Sequence, residues 1–202
     1  MVIPGYEIIQ ELFQQDECCL YRGRRLSDQR LVLLKVPRHD PAPQAVLERM
    51  AREYCLWQEL SLPGLPRVVE LQRFSSSRAL VLEDCGGAPL PRLLALRALE
   101  LPRFFRVVKQ LTAIIAALHQ REIIHQRIQP GSFLLDPVTD EIWLIDLHAA
   151  IQQAGAPPAL SQPGRETLVY LSPEQTGRLN RVVDYRTDFY SLGVTCYELL
   201  TG

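Results

Sequence analysis

The chain has 202 residues and a formal net charge of −1, from 22 basic against 23 acidic residues, and every basic residue except Lys35 and Lys109 is arginine. Hydrophobic residues make up 47% of it, with no apolar run long enough to span a bilayer, which excludes a helical membrane protein, a collagen-like chain and a disordered charged tail. A charge this close to zero offers no bulk attraction for nucleic acid or for an anionic membrane surface.

In chain order, residues 6–12, 19–25 and 31–36 predict three short strands, with turn chemistry at Ser27-Asp28 between the last two. Pro41 and Pro43 close that region. Val46, Leu47, Met50, Tyr54, Trp57 and Leu60 then recur every three or four places, which predicts an amphipathic helix over 44–60. Pro63-Gly64-Leu65-Pro66 stops it. Residues 68–74 and 79–82 predict two further strands around Ser75-Ser76-Ser77.

Gly86-Gly87 marks a joint and a change of character. A helix is predicted over 102–120, with Phe104, Val107, Val108, Leu111, Ile114, Ile115 and Leu118 on one broad face. Short paired strands follow at 133–135 and 142–145. A loop rich in Pro, Gly, Ala and Gln runs over 149–164, and a last helix over 187–200. The order implies an α+β chain of two lobes, with a cleft between them as the place for a ligand.

The five cysteines, at 18, 19, 55, 85 and 196, have no metal-ligand spacing. No basic-then-apolar leader opens the chain, so they are read as reduced, mostly buried thiols and the location as cytoplasmic.

Taken together, Leu33-Leu34-Lys35-Val36, Glu53, the stretch from His125 to Ser132, Asp146-Leu147-His148 and Ser172-Pro173-Glu174 resemble the motifs of a protein kinase domain, from residue 6 to residue 202. The family's third-strand V-A-I-K corresponds to Leu33-Leu34-Lys35-Val36, and its helix glutamate to Glu53. The segment linking the lobes corresponds to Leu82-Glu83-Asp84-Cys85-Gly86-Gly87. The catalytic loop H-R-D-L-K-P-x-N corresponds to His125-Gln126-Arg127-Ile128-Gln129-Pro130-Gly131-Ser132. D-F-G corresponds to Asp146-Leu147-His148, and A-P-E to Ser172-Pro173-Glu174, with Thr167 and Tyr170 in a T-x-x-Y pattern ahead of it. Asp188-Phe189-Tyr190-Ser191-Leu192-Gly193 resembles the start of the family's central large-lobe helix. These fragments fall in the family's order, each on the expected strand, loop or helix. Residues 171–202 also resemble the amino-terminal kinase-like module of large bacterial ATPase and sensor-histidine-kinase proteins.

The resemblance implies a bilobal fold: a five-stranded small lobe over 1–85 and part of a mainly helical large lobe over 86–202, truncated at its carboxyl end. It implies ATP and magnesium as cofactors. Nucleotide contacts would come from Lys35, Glu53, Leu82, the carbonyl of Glu83, the backbone of Cys85 and Asp146, with Asp146 as the metal ligand. It also places Asp188 against the catalytic-loop backbone, His125 in the core, and Glu174 with an arginine beyond the chain.

Phosphoryl transfer requires the phosphates cradled, magnesium held and the attacking hydroxyl relieved of its proton. The glycine-rich cradle is replaced by Phe13-Gln14-Gln15-Asp16-Glu17-Cys18, without a glycine and with Asp16 and Glu17 expected to face the phosphates. The general base is replaced by Arg127, a donor-only cation that cannot accept a proton. Gln129 replaces a positive lysine, and Ser132 the asparagine that holds a second magnesium. His148 replaces the glycine of D-F-G and is expected to be a loop histidine without a ligand role. Arg127 is expected near Asp146, filling the phosphate site and removing the metal site. The resulting expectation is a kinase fold without transfer, a regulatory or interaction module of bacterial signalling. Its expected partners are other signalling proteins or downstream ATPase and sensor modules of the same polypeptide. The alternatives are nucleotide binding without transfer and a serine/threonine kinase with atypical residues.

Overall fold

The structure, a computed structural model, describes residues 1–15, 17–152, 168–177 and 181–202. Two compact units are present. The first is Met1–Ser61 with Pro66–Gly86, and the second is Leu62–Leu65 with Gly87–Gly202. The division at Gly86 therefore follows the glycine pair, but Leu62–Leu65 belongs with the second unit.

The first unit is an antiparallel sheet of five strands in the order β1-β2-β3-β5-β4, formed by β1 (Tyr6–Gln14), β2 (Cys18–Arg25), β3 (Leu31–Pro37), β4 (Val68–Phe74) and β5 (Ser77–Glu83). Helix α1 (Gln44–Glu59) lies between β3 and β4 in the chain and packs against β4 and β5. Ser77 begins β5 rather than closing the turn before it. β3 is central and buried on both faces, which is why its sequence reads as a nearly continuous apolar run rather than an alternating one. Val32, Leu34 and Val36 face a core with Ile3, Tyr6, Phe74 and Val81. Leu33 and Lys35 therefore face the other side, with period-two alternation. Gly23 on β2 admits the close approach of Leu34, whose Cδ1 lies 2.7 Å from where a Cβ would stand.

The second unit begins with β6 (Ala88–Pro89) and the short helix α2 (Leu90–Leu94). Helix α3 (Leu101–His119) follows and buries Phe104, Val107, Leu111, Ile114, Ile115 and Leu118, as predicted from their spacing, whereas Val108, predicted on the same face, is only half-buried. Next come β7 (Ile123–Ile124), β8 (Phe133–Leu135), β9 (Ile142–Leu144) and β10 (Ile151–Gln152), then α4 (Arg186–Thr201). β6-β8-β9 form one small sheet and β7-β10 another. The β8–β9 turn is braced from α3: Arg103 and Arg106 both donate to the carboxylate of Asp140, at 2.7 and 2.7–3.0 Å. Gln110 on the same helix donates to the Asp140 carbonyl at 2.7 Å and accepts the Ile142 N–H at 3.2 Å. Among the described residues no helix is long and apolar enough to cross a membrane.

Candidate functional site

Lys35 and Glu53 meet inside the first unit. The Lys35 ammonium donates to both oxygens of Glu53 at 2.8 Å, and Trp57 Nε1 donates to one of them at 3.4 Å. The pairing of β3 with its neighbours dictates the environment, since Lys35 stands between Leu20 on β2 and Leu80 on β5. Both leucines are buried, and the side chains of Lys35 and Glu53 are 5% and 0% exposed. An ammonium in such surroundings is tolerated only with a matched anion. Glu53 on α1 supplies it, one turn before Trp57.

At the β1–β2 turn, Gln15 N–H donates to the Cys18 carbonyl at 2.8 Å. Asp16 lies outside the described residues. Glu17 was expected to face the phosphates; instead its carboxylate pairs with Arg49 of α1. This turn is thereby tied to the helix that carries Glu53.

In the linking segment, Leu82 is fully buried on β5, and Glu83 N–H donates to the Arg67 carbonyl at 2.8 Å. Asp84 is gripped by Arg22 of β2, whose Nε and Nη2 reach its two carboxylate oxygens at 2.6 and 3.1 Å. It also accepts the Gly86 N–H at 3.0 Å. The backbone around Glu83 and Cys85 is thus set by Asp84, which the sequence reading did not single out.

In the second unit, Asp188 at the start of α4 is buried and organises the catalytic-loop segment. It accepts the N–H groups of His125 and Gln126 at 2.9 and 2.8 Å and is bonded to His119 Nε2 at 2.8 Å. Gln126 has φ +65°, a left-handed conformation that those bonds hold in place. Its carbonyl accepts Gln175 Nε2 at 2.8 Å. His125 is buried, as expected. Its Nδ1 accepts the Arg127 N–H at 3.2 Å and its Nε2 donates to the Asp146 carbonyl at 2.8 Å. Burial pushes its pKa below the usual histidine value, against the pull of the Asp188 and Asp146 carboxylates.

Arg127, Ser132 and Asp146 come together in this unit, and His148 joins them. Arg127 Nη1 lies 2.8 Å from His148 Nε2, and His148 Nδ1 lies 2.6 Å from Asp146 Oδ1. The His148 N–H also donates to that same oxygen at 3.3 Å. Arg127 and Asp146 are thus joined through the ring of His148, a hydrogen-bonding role that the expectation of a loop histidine did not include. Ser132 Oγ donates to the Arg127 carbonyl at 3.2 Å, and the Gln129 carbonyl accepts the Ser132 N–H at 2.9 Å. Gln129 itself is buried.

Magnesium requires hard oxygen ligands in near-octahedral array, usually one or two carboxylates with phosphates and water. Oδ1 of Asp146 already accepts two hydrogen bonds from His148, whose ring ties it to a guanidinium. The residues present do not fit the ion.

Glu174, expected to pair with an arginine beyond the chain, accepts Thr187 Oγ1 at 2.9 Å. Ser172 bonds both Thr187 and Gln175, so the A-P-E segment is anchored on α4. Thr167 and residues 153–164 of the Pro-rich loop lie outside the described residues. A separate groove of about 960 Å³ between α3 and α4, lined by Ile115, His119, Tyr185 and Phe189, contains none of the predicted site residues. All five cysteines are free thiols, but only Cys19 is buried, Cys18, Cys85 and Cys196 being half-buried and Cys55 exposed, so the expectation of mostly buried thiols is corrected.

Sequence reading missed Arg49 and Gln175, and it named His148 without foreseeing its bond to Arg127. Their partners lie 32, 49 and 21 residues away, and no local pattern signals such pairs.

Comparison with known proteins agrees with this arrangement. The family model for the protein kinase domain matches residues 6–202. The chain is 32% identical over 189 residues to serine/threonine-protein kinase pkn2 of Myxococcus xanthus, covering 91% of this chain and 22% of that protein. It is 28% identical over 193 residues to serine/threonine-protein kinase pkn3 of the same organism, covering 91% of this chain and 35% of that one. Serine/threonine-protein kinase PrkC of Bacillus subtilis matches at 25% over 199 residues, 98% of this chain and 30% of that protein. The chain thus spans well under half the length of these relatives. With the buried Lys35–Glu53 pair, the Asp188-organised loop and a family match across nearly its whole length, the chain belongs to the protein kinase family.

Proposed function

We propose that this kinase domain works as a regulatory or interaction module of bacterial signal transduction and does not transfer phosphate. The observation that carries the reading is Arg127. It stands where the family has its proton acceptor, and its guanidinium is engaged with His148. A guanidinium holds its proton at every physiological pH and has no acceptor lone pair. The neighbouring change to Gln129 also removes a positive charge from the same loop, and Ser132 replaces an asparagine metal ligand with a hydroxyl, a partial loss since hydroxyls can ligate magnesium. Protein kinases as a family use ATP and magnesium. Any nucleotide contact here would come from Lys35, Glu53, Leu82, Glu83, Cys85 and Asp146. The proposed setting is cytoplasmic, and the proposed partners are signalling proteins or further modules of the same polypeptide.

A second reading, an active serine/threonine kinase with an atypical loop, is favoured by the retained Lys35–Glu53 pair and by the names of its relatives. Proton removal late in a loose transition state would lessen its dependence on a base. Radiolabelled phosphate transfer from ATP, to the protein itself and to a general substrate, separates the two. The module reading expects wild-type signal no higher than that of Lys35→Met and Asp146→Asn. Transfer above both controls establishes the enzyme instead.

A further inference from the structure

The Arg127–His148–Asp146 chain fixes the state of the imidazole. Arg127 Nη1 only donates, so at 2.8 Å from Nε2 it makes that ring nitrogen an acceptor. The ring proton must then sit on Nδ1, from which it is donated to Asp146 Oδ1 at 2.6 Å. The result is a directed relay of guanidinium N–H to neutral imidazole to carboxylate. The His148 backbone N–H adds a further donor at the same carboxylate oxygen. Arg127 and Asp146 are both buried, and the His148 side chain is 14% exposed, so the relay is shielded from water and its charge-assisted bonds are strong.

We infer that His148 excludes divalent cations from Asp146 by holding the Arg127 guanidinium there as a resident cation. A divalent ion at Oδ1 would have to displace two donors from His148 and sit beside a fixed positive charge. The inference rests on the reading that this loop does not transfer phosphate. It assigns the loss of metal to a residue outside the changed catalytic loop itself.

The test is thermal denaturation of the full chain with ATP, with magnesium or with EDTA, for wild type, His148→Gly and His148→Phe. Phenylalanine keeps the ring and removes both nitrogens. Wild type is expected to give the same Tm with ATP in magnesium and in EDTA. Both variants are expected to gain a magnesium-dependent rise of several degrees, the mark of ligand binding the folded state alone. A magnesium-dependent rise in wild type overturns the inference, as does the absence of one in folded variants. A second measurement needs no variant. The long-range proton–nitrogen spectrum of wild type should show His148 with Nδ1 protonated and Nε2 bare. A doubly protonated ring, or the opposite tautomer, also overturns it. Phosphate transfer by wild type that is lost in Lys35→Met sinks the module reading, whatever the tautomer of His148.

Discussion

Asp188 Oδ1 accepts the N–H of Gln126 at 2.8 Å, at a residue whose φ is +65°. A non-glycine residue in that region costs about 1–2 kcal/mol, so the carboxylate holds the loop in a conformation it would not choose. Its other oxygen takes the N–H of His125. Asp188→Ala strands both buried amides and is expected to cost about 3–5 kcal/mol. Asp188→Asn keeps one acceptor and should cost about 1–3 kcal/mol. Urea unfolding measures both, and equal losses in the two variants would show that the amides do not depend on the carboxylate.

Lys35 and Glu53 are held more by need than by gain. Lys35→Met leaves the Glu53 carboxylate among buried leucines and Trp57 and should cost about 3–5 kcal/mol. Adding Glu53→Leu should recover most of that loss, to within about 1–2 kcal/mol of wild type. A double-mutant cycle by chemical denaturation checks this. Additive losses would mean that the two charges are not coupled.

Gly64 has φ +81°, and a Cβ there would stand 2.5 Å from Ile114 Cδ1. Gly64→Ala is expected to cost about 2–4 kcal/mol, from left-handed strain and overpacking together. Ile114→Val trims the clashing side chain, so the double variant should lose less than the two single losses combined. Thermal unfolding of the three variants decides it.

Two acid transitions are expected, of different origin. His125 is buried neutral with its pKa lowered. The unfolded chain therefore takes up a proton first, near its ordinary value of about 6.5. Stability from this source is complete above that pH and falls as the solution is acidified below it. Asp140 behaves oppositely in charge but alike in direction. Burial raises its pKa, the guanidiniums of Arg106 and Arg103 more than reverse this, and the net shift is downward. Its contribution is present above about pH 4 and is lost as pH falls through its lower folded value. Urea midpoints from pH 7.5 to 3 should decline in both ranges. His125→Asn should flatten the upper range and Asp140→Asn the lower one. An unchanged upper slope in His125→Asn would assign that range to another group.

Fold and site were legible to different depths, for physical reasons. The long elements announced themselves. α1 and α3 repeat apolar residues at helical spacing, and β3 is an apolar strand interrupted only by Lys35. β6, β7 and β10 span two residues each, too few for any period to register, and exist only through their partners. α4 was found, but its facing was not readable. It buries Thr187, Asp188, Ser191 and Thr195 along with Leu199 and leaves Phe189 and Tyr197 exposed, so its buried face is mostly polar. The site residues were legible by their order along the chain. What each one touches was not. Glu17 carries a charge whose partner, Arg49, a fold must supply, and His148 gains its role only because Arg127 replaced an acceptor with a donor.

The short stretch Leu62–Leu65 gives the chain a temporal constraint. Gly64 supplies the carbonyl that accepts the Leu144 N–H at 2.8 Å, although strands β4 and β5 of the other unit come between them in the sequence. During synthesis, at about 5–20 residues per second, this stretch emerges early and waits several seconds for β9 to arrive. The first unit can close its sheet in that interval around a loop not yet docked. The second cannot be finished without residues made long before most of it. A cut after Gly86 would therefore not yield two whole pieces. The carboxyl fragment would lack Gly64, leaving the Leu144 amide without its acceptor and the end of Ile114 uncovered.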